Sequence, residues 1–133
     1  MKPTVRSMMD TLTFAVPSEM PILEAIDVLI NQGVTGVPVV GDTGEALGVL
    51  SEEHCLKLVA EGDANAEAPK GRVATFFDAS VPQVSPDIDL YYVAGMFLRD
   101  LAIRRFPVVE HGKLVGVITR KDVLRALRDL LRK

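Results

Sequence analysis

Hydrophobic residues follow helical spacing in one stretch of the first half of the chain, and short runs typical of β-strands follow it. The helical set is Ile22, Ala25, Ile26, Leu29 and Ile30. Its spacing of three and four residues predicts an amphipathic helix, with Pro21 in the first turn and Gly33 as the stop. The runs 37–40 and 46–50 are joined by a turn at 42–44 and predict a β-hairpin, and a second helix at 52–60 follows.

The second half shows the same order of patterns. Its helical set is Leu90, Val93, Ala94, Phe97, Leu98 and Leu101, with Asp89 as a candidate cap. The runs 106–109 and 114–118 predict a hairpin turning at His111 and Gly112, and 120–131 predicts a closing helix. A short extended segment precedes each half, at 13–16 and 81–85. We therefore predict an α/β (α+β) fold in which strand, helix, strand, strand and helix occur twice. Each half would then have a three-stranded sheet covered by two helices.

The similarity of the two halves extends to individual residues at a spacing of 68 or 69 positions. The matching segments are Val5 to Asp10 with Val73 to Asp78, Leu29 with Leu98, Pro38 to Val40 with Pro107 to Val109, and Gly48 to Ser51 with Gly116 to Thr119. We predict one repeat at 1-62, a small and polar linker at 63-72, and a second repeat at 73-133. The apolar pairs 8–9 and 76–77 are interpreted as anchors on short helices, at a seam within the module or between two chains.

Composition supports a folded protein and excludes several classes of site. The 133 residues are 48% hydrophobic and 25% charged, which is enough apolar surface for a core. The longest uncharged stretch, 28–41, is too short to cross a bilayer, which needs about 20 apolar residues. The beginning of the chain lacks a long apolar run, so we expect a cytoplasmic protein. A single cysteine and two histidines leave no internal disulfide and no Cys/His zinc cluster.

Charge is unevenly distributed along the chain. Residues 1–67 carry 11 acids and 3 bases, whereas residues 68–133 carry 7 acids and 12 bases. A basic half joined to an acidic half indicates an anion site or complementary pairing between chains. Nucleic acid is a weaker interpretation, because tryptophan is absent and only 5% of residues are aromatic.

Two sequence signatures resemble the CBS domain. The first occurs in both halves of the chain, and the second is complete only in the second half. They are an apolar-Pro-Val-Val strand (37–40 and 106–109) and the Gly-Val-Ile-Thr-x-x-Asp segment 116–122. The tandem arrangement is similar to the pair called a Bateman module. The resemblance implies two units packed sheet to sheet with pseudo-twofold symmetry, and clefts for an adenosine ligand such as AMP, ADP, ATP or S-adenosylmethionine. It also implies a homodimer that regulates an as yet unidentified partner protein.

The same resemblance implies the residues of the site. Thr119 and Asp122 would contact ribose and phosphate, and the first repeat has Ser51 and His54 there, which implies a weaker second site. The walls around adenine would be Ala79, Val81, Phe106, Pro107 and Ile118. The alternative is that a threonine followed by an acid three residues later forms a helix cap and needs no ligand.

Basic residues at the start of the last helix favour the ligand. Arg120 and Lys121 occupy the first turn, where the positive end of a helix disfavours bases by about 0.3–1 kcal/mol each. A phosphate would compensate this charge, and Arg104 and Arg105 are candidates for the same side of the site. The first repeat has Glu52 and Glu53 instead of the two bases. A solvated basic face is the alternative.

No catalytic arrangement is visible, so we expect no enzyme, cofactor or metal. The leading hypothesis is a regulatory module that binds an adenosine nucleotide, with AMP favoured, and does not interact with membranes. A ligand-free dimerisation and docking module and an S-adenosylmethionine binder are the alternatives, together with nucleic-acid binding through the basic last helix.

Overall fold

The computed structural model describes residues 2–11, 14–60 and 71–132. The chain divides into two compact units, one formed by Phe14–Ser80 and the other by Met1–Thr13 with Val81–Lys133. We call them the central unit and the terminal unit. Most of the predicted linker 63-72 lies outside the described residues.

Helices and strands follow the predicted order. In the central unit they are β1 (Val16–Pro17), α2 (Ile22–Gln32), β2 (Gly36–Val40), β3 (Ala46–Ser51), α3 (Glu52–Ala60) and a 3-10 helix (Val73–Thr75). In the terminal unit they are α1 (Val5–Met8), α4 (Leu90–Arg99), β4 (Arg105–Glu110), β5 (Lys113–Thr119) and α5 (Arg120–Leu131). The mixed α/β fold is therefore confirmed.

The helix ends have identifiable caps. Gly33 ends α2 in the left-handed region, with φ of 62°, where glycine is favoured because it has no Cβ. Asp89 caps α4, since its carboxylate accepts a hydrogen bond of 2.8 Å from the backbone N–H of Tyr91. Pro21 is the residue before α2 and has ψ of 140°, so its predicted place within the first turn is wrong by one residue.

The two sheets differ in size. β1 pairs in parallel with β2, and β2 pairs antiparallel with β3, so the central unit has the predicted three strands. The terminal unit has two, β4 and β5, which turn at His111 and Gly112 with φ of 53° and 76°. Positive φ at both turn residues matches the tight hairpin turn that continues the twist of the strands. Val84 forms an isolated parallel bridge to Val108, in which it donates to the carbonyl of Pro107 and accepts from the N–H of Val109, so the third strand predicted here is reduced to one bridged residue.

Each unit buries its own apolar core. The helix faces that enter the cores are Ile22, Ala25 and Leu29 in the central unit, and Leu90, Val93 and Phe97 in the terminal unit. These sets are 68 positions apart, so Leu29 corresponds to Phe97 and not to Leu98, which is 74% exposed. The extra residue of the second repeat lies in the connection that follows α4.

The leading segment of each sequence repeat packs in the unit formed mainly by the other repeat. Val5 donates a backbone hydrogen bond of 2.9 Å to the carbonyl of Ile88 in the terminal unit. Val73 donates a backbone hydrogen bond of 2.9 Å to the carbonyl of Met20 in the central unit. The two bonds are equivalent in the repeat, because both the donors and the acceptors are 68 positions apart. Both valines are fully buried. The boundaries 1-62 and 73-133 thus describe repeats, whereas the packing units exchange their leading segments.

The exchanged segments end in backbone bridges to β3 and β5. Asp78 and Val49 exchange hydrogen bonds of 3.0 and 2.9 Å, and Asp10 and Val117 do the same at 2.9 and 3.0 Å. The neighbouring strand residues are Gly48 and Gly116. A Cβ on Gly48 would collide with the carbonyl oxygen of Asp78, and one on Gly116 would lie 2.8 Å from that of Asp10. The repeated glycine and the repeated aspartate therefore mark the same close approach in both units.

Candidate functional site

Thr119 and Asp122 form a reciprocal capping box at the start of α5. The backbone N–H of Thr119 donates to Asp122 Oδ2 at 2.8 Å, and the backbone N–H of Asp122 donates to Thr119 Oγ1 at 3.3 Å. The threonine hydroxyl also lies 3.0 Å from Oδ2. Asp122 is 2% exposed, and Arg125, one turn further along α5, forms an ion pair with its Oδ1. The helix cap, which the sequence offered as the alternative to a ligand site, is therefore present.

The central unit forms the same box with a histidine. Ser51 donates its backbone N–H to Nδ1 of His54 at 3.0 Å, and the backbone N–H of His54 donates to Ser51 Oγ at 3.3 Å. The serine hydroxyl lies 2.9 Å from the same Nδ1. Nδ1 accepts in this arrangement, so the proton of the neutral ring is on Nε2. His54 thus replaces the carboxylate of Asp122 as the acceptor in the cap.

The guanidinium of Arg120 makes its hydrogen bonds within the protein. Its Nη2 donates to the carbonyl of Ile103 at 2.9 Å and also to that of Leu101, and its guanidinium lies 5.8 Å from the ring centroid of Phe97. Its buried Nε has no partner among the atoms described. The positive charge at this helix start is thus compensated by carbonyl oxygens of the loop after α4. That partner was not anticipated from the sequence.

The other predicted bases lie around the same helix start. Arg105 is half-buried and pairs across the β4–β5 ladder with Thr119. Lys121 and Arg104 are exposed. Arg125, which sequence reasoning did not select, is the residue closest to the carboxylate. Its position three residues after Asp122 on one helix was the available signal.

The predicted adenine walls are divided between the units. Phe106 and Ile118 face each other in the β4–β5 ladder and are fully buried in the terminal core, and Pro107 follows as a buried residue. Val81 packs against the edge of that core. Ala79 is exposed and belongs to the central unit.

Asp78 adds a carboxylate near His54 that the sequence reasoning did not place in the site. It accepts hydrogen bonds from the hydroxyl and backbone N–H of Ser80, at 2.6 and 2.8 Å. These bonds lower the pKa of Asp78. The repeated aspartate of the leading segment was its signal in the sequence.

Within residues 2–11, 14–60 and 71–132, no cluster of three or more His, Cys, Asp or Glu side chains has the arrangement to hold a metal ion. Among the helices of those ranges, none combines the length and the apolar character that a membrane span requires.

Known proteins are similar to this chain in sequence and in fold. The chain is 30% identical over 129 residues to the A-adding tRNA nucleotidyltransferase of Aquifex aeolicus (strain VF5), covering 97% of this chain and 15% of that protein. It is 31% identical over 113 residues to the 5'-AMP-activated protein kinase subunit gamma-3 of Sus scrofa, covering 80% of this chain and 22% of that protein. The chain thus spans less than a quarter of the length of either relative.

The structure of CBSX2 from Arabidopsis thaliana, solved in complex with AMP, superposes with a TM-score of 0.81. Its sequence is 29% identical, and the match covers 97% of this chain and 98% of that one. The CBS domain pattern itself matches residues 5–61 and again residues 73–129. These matches agree with the two repeats and with the capped helix that follows each hairpin. The chain therefore belongs to the CBS domain family as a tandem pair.

Proposed function

We propose that this chain is a regulatory module that binds an adenosine nucleotide, with AMP favoured, and controls a partner protein. One observation carries the proposal: the chain is similar over nearly its whole length to CBSX2, whose structure was solved with AMP. The kinase subunit among its relatives supports a regulatory role, because that protein is named as a subunit of an AMP-activated enzyme. The CBS pair itself is proposed to do no chemistry.

In this proposal the nucleotide binds at the start of α5. Oδ2 of Asp122 belongs to the cap, whereas Oδ1 pairs with Arg125 among the described residues. The side chain of Arg125 is 50% exposed and can turn into solvent, whereas the Asp122 carboxylate that it leaves is 3% exposed and then needs another donor. A ribose hydroxyl then takes its place at Oδ1, and the released guanidinium adds to the positive charge available for phosphate. Lys121 and Arg104, both exposed, supply further charge.

The buried predicted residues have a different role in this proposal. Phe106, Pro107 and Ile118 support the site from the terminal core, and Val81 at the edge of that core borders the adenine ring, whereas Ala79 belongs to the other unit. Arg105 and Arg120 position the strand end and the loop and do not contact phosphate. Ser51 and His54 form the weaker second site, because a neutral imidazole whose Nδ1 is already engaged offers ribose no free acceptor.

Calorimetric titration with AMP tests the role of Asp122. Loss of a charged acceptor typically costs about 1.5–3 kcal/mol, so Asp122→Ala is expected to weaken AMP binding roughly 10- to 150-fold. Asp129→Ala is the matched control, because it removes an exposed carboxylate from the same helix. Thermal melts of both variants establish that they are folded. Equal affinities for AMP would remove Asp122 from the site.

Thermal stabilisation by each ligand tests the proposal as a whole. A specific ligand at 100 times its dissociation constant stabilises the folded state by about 2.7 kcal/mol. AMP, ADP, ATP and S-adenosylmethionine are compared at equal concentration, and AMP is expected to raise the melting temperature most. A larger rise with S-adenosylmethionine would change the ligand class. The absence of any rise at millimolar concentration would reject the function.

A second candidate is a docking module without a ligand. It is favoured by the capping box, in which the cap holds one oxygen of Asp122 and Arg125 the other. Unchanged melting temperatures with all four ligands would support it. Nucleic-acid binding through α5 is disfavoured, and a gel shift that disappears at about 0.2 M salt would identify it as nonspecific charge attraction.

We also propose that the chain acts as a homodimer in the cytoplasm. The dimer is suggested by large apolar side chains that remain exposed on the helices of both units. Light scattering of the full chain tests the dimer, and a mass of one chain would reject it. The chloroplastic location named for the CBSX2 relative shows that similar pairs also occur in another compartment.

A further inference from the structure

The loop that joins α4 to β4, residues 100–104, is attached to the start of α5 by one side chain. Nη2 of Arg120 donates to the carbonyl of Ile103 at 2.9 Å and also to that of Leu101. The same guanidinium lies 5.8 Å from the ring centroid of Phe97, which is close to the end of α4. Arg120 therefore connects the first residue of α5 to the loop and to the helix before it.

Bonds within the loop shape it but do not attach it to the helix. The backbone N–H of Ala102 donates to Oδ1 of Asp100 at 3.1 Å, and that of Ile103 donates to the carbonyl of Asp100 at 3.2 Å. These bonds form a local turn at the end of α4. Among the described residues, the hydrogen bonds that join this loop to α5 are those of Arg120. The position of the loop at the start of α5 therefore depends on that side chain.

The central unit attaches its equivalent loop, residues 33–35, in a different way. The backbone N–H of Glu52, the first residue of α3, donates to the carbonyl of Thr35 at 2.8 Å. Glu52 is 68 positions before Arg120, whereas Thr35 is 69 positions before Arg104, so the terminal loop is longer by one residue. The helix backbone thus holds the shorter loop, and the arginine side chain holds the longer one.

The longer loop ends in an exposed base. Arg104 directly follows Ile103, whose carbonyl is bound by Arg120, and directly precedes Arg105, which pairs with Thr119 across the β4–β5 ladder. The backbone of Arg104 is thus held on both sides next to the start of α5, while its side chain is in solvent. The equivalent residue of the central unit, Thr35, has no charge. The two loops therefore differ in what they offer an anion.

We propose that loop 100–104 is the element of the terminal unit that selects phosphorylated adenosine over adenosine itself. The inference rests on the proposed function and adds the group that discriminates the ligand. Arg104 contacts the phosphate, and Arg120 is a positioning residue that holds the loop where this contact is possible. Arg120 does not contact the phosphate, because its Nη2 is engaged by two carbonyl oxygens. The weaker site of the central unit, whose loop has no base, does not discriminate in this way.

Calorimetric titration of Arg120→Leu with AMP and with adenosine tests the selectivity. A phosphate contact of an exposed base contributes about fivefold in affinity, because solvent screens it. We expect AMP binding to weaken about fivefold and adenosine binding to stay unchanged. A less stable fold would weaken both alike, so the ratio reports the loop. Arg128→Leu is the matched control, because it removes a 53% exposed base from the same helix. An unchanged ratio in Arg120→Leu, or an equal change in the control, would overturn the proposal.

A double-mutant cycle tests whether Arg120 acts through Arg104. AMP affinity is measured for Arg104→Ala, for Arg120→Leu and for the double variant. Because both single substitutions remove the same contact, we expect the double variant to lose about fivefold, as each single variant does. Independent effects would multiply to about 25-fold and would overturn the positioning role. The cycle uses AMP alone, so it decides the question even where adenosine binds too weakly to be measured.

Amide hydrogen exchange in the ligand-free protein tests the attachment of the loop by itself. Exchange at Ala102 and Ile103 is expected to be about fivefold faster or more in Arg120→Leu than in the parent chain, and unchanged in Arg128→Leu. Equal exchange in all three proteins would overturn the attachment. The two proposals also fail differently. A parent chain that does not bind AMP rejects both, whereas a parent chain that binds AMP no better than Arg120→Leu rejects this inference alone.

Discussion

The two glycines at the exchanged segments give the sharpest test of how the units are built. Gly48 and Gly116 occupy equivalent places on β3 and β5, but their surroundings differ. A Cβ on Gly48 would collide with the carbonyl oxygen of Asp78 and lie 2.8 Å from the Phe77 ring and 2.9 Å from the Asp78 carbonyl carbon. The backbone bridge between Asp78 and Val49 must then open.

The expected cost follows from that bridge. Two hydrogen bonds with a net value of about 1 kcal/mol each are lost, and overpacking adds about 1–3 kcal/mol. We therefore expect Gly48→Ala to lower the free energy of unfolding by about 3–5 kcal/mol. On Gly116 the nearest atom, the carbonyl oxygen of Asp10, is 2.8 Å away and the next is the flexible side chain of Met9 at 3.2 Å. Gly116→Ala is expected to cost about 1–3 kcal/mol because a smaller shift accommodates it.

Gly95 provides the matched control. It lies within α4, and a Cβ there would meet no atom within 4 Å beyond its chain neighbours and the backbone of the helix itself, so Gly95→Ala is expected to stabilise the protein by about 1 kcal/mol through helix propensity. Urea unfolding, followed by circular dichroism and extrapolated linearly, measures all three variants. The reasoning is refuted if Gly48→Ala unfolds within 1 kcal/mol of the parent chain, or if Gly116→Ala is the more damaging substitution.

Three further substitutions test the caps and the loop. His54→Asp gives the box of Ser51 a carboxylate at a helix N-terminus, and should stabilise the protein by about 0.3–1 kcal/mol in urea unfolding; a loss of stability would contradict this. Arg120→Leu removes its hydrogen bonds to loop carbonyls and should cost about 1.5–3 kcal/mol; a cost below 0.5 kcal/mol would show that these bonds are unimportant. Asp78 has a lowered pKa, chiefly because Ser80 donates to it, so its ionised form stabilises the folded state. The difference in the free energy of unfolding between the parent chain and Asp78→Asn should therefore be largest well above pH 3.8 and disappear below it. A difference that persists at about pH 2 would contradict the assignment.

The sequence determined the order of elements, the repeat and the family. Helical periodicity located α2, α4 and α5, because apolar residues at spacings of three and four face one core. Local signals also predicted the ends correctly at Gly33, Asp89 and the His111–Gly112 turn, since caps and tight turns depend on neighbouring residues.

Contacts between distant segments could not be predicted from the sequence, because no local pattern encodes them. The exchange of leading segments depends on backbone bridges between residues 29 and 107 positions apart, at Val49 with Asp78 and at Asp10 with Val117. The partner of Arg120 is likewise set by where the loop after α4 passes in three dimensions. The helix start was read from the sequence as a place that needs an anion, and only the tertiary structure brings carbonyl oxygens to it. The charge pattern of the sequence indicates that the bases at the start of this helix need a compensating partner. Tertiary packing decides which group is that partner.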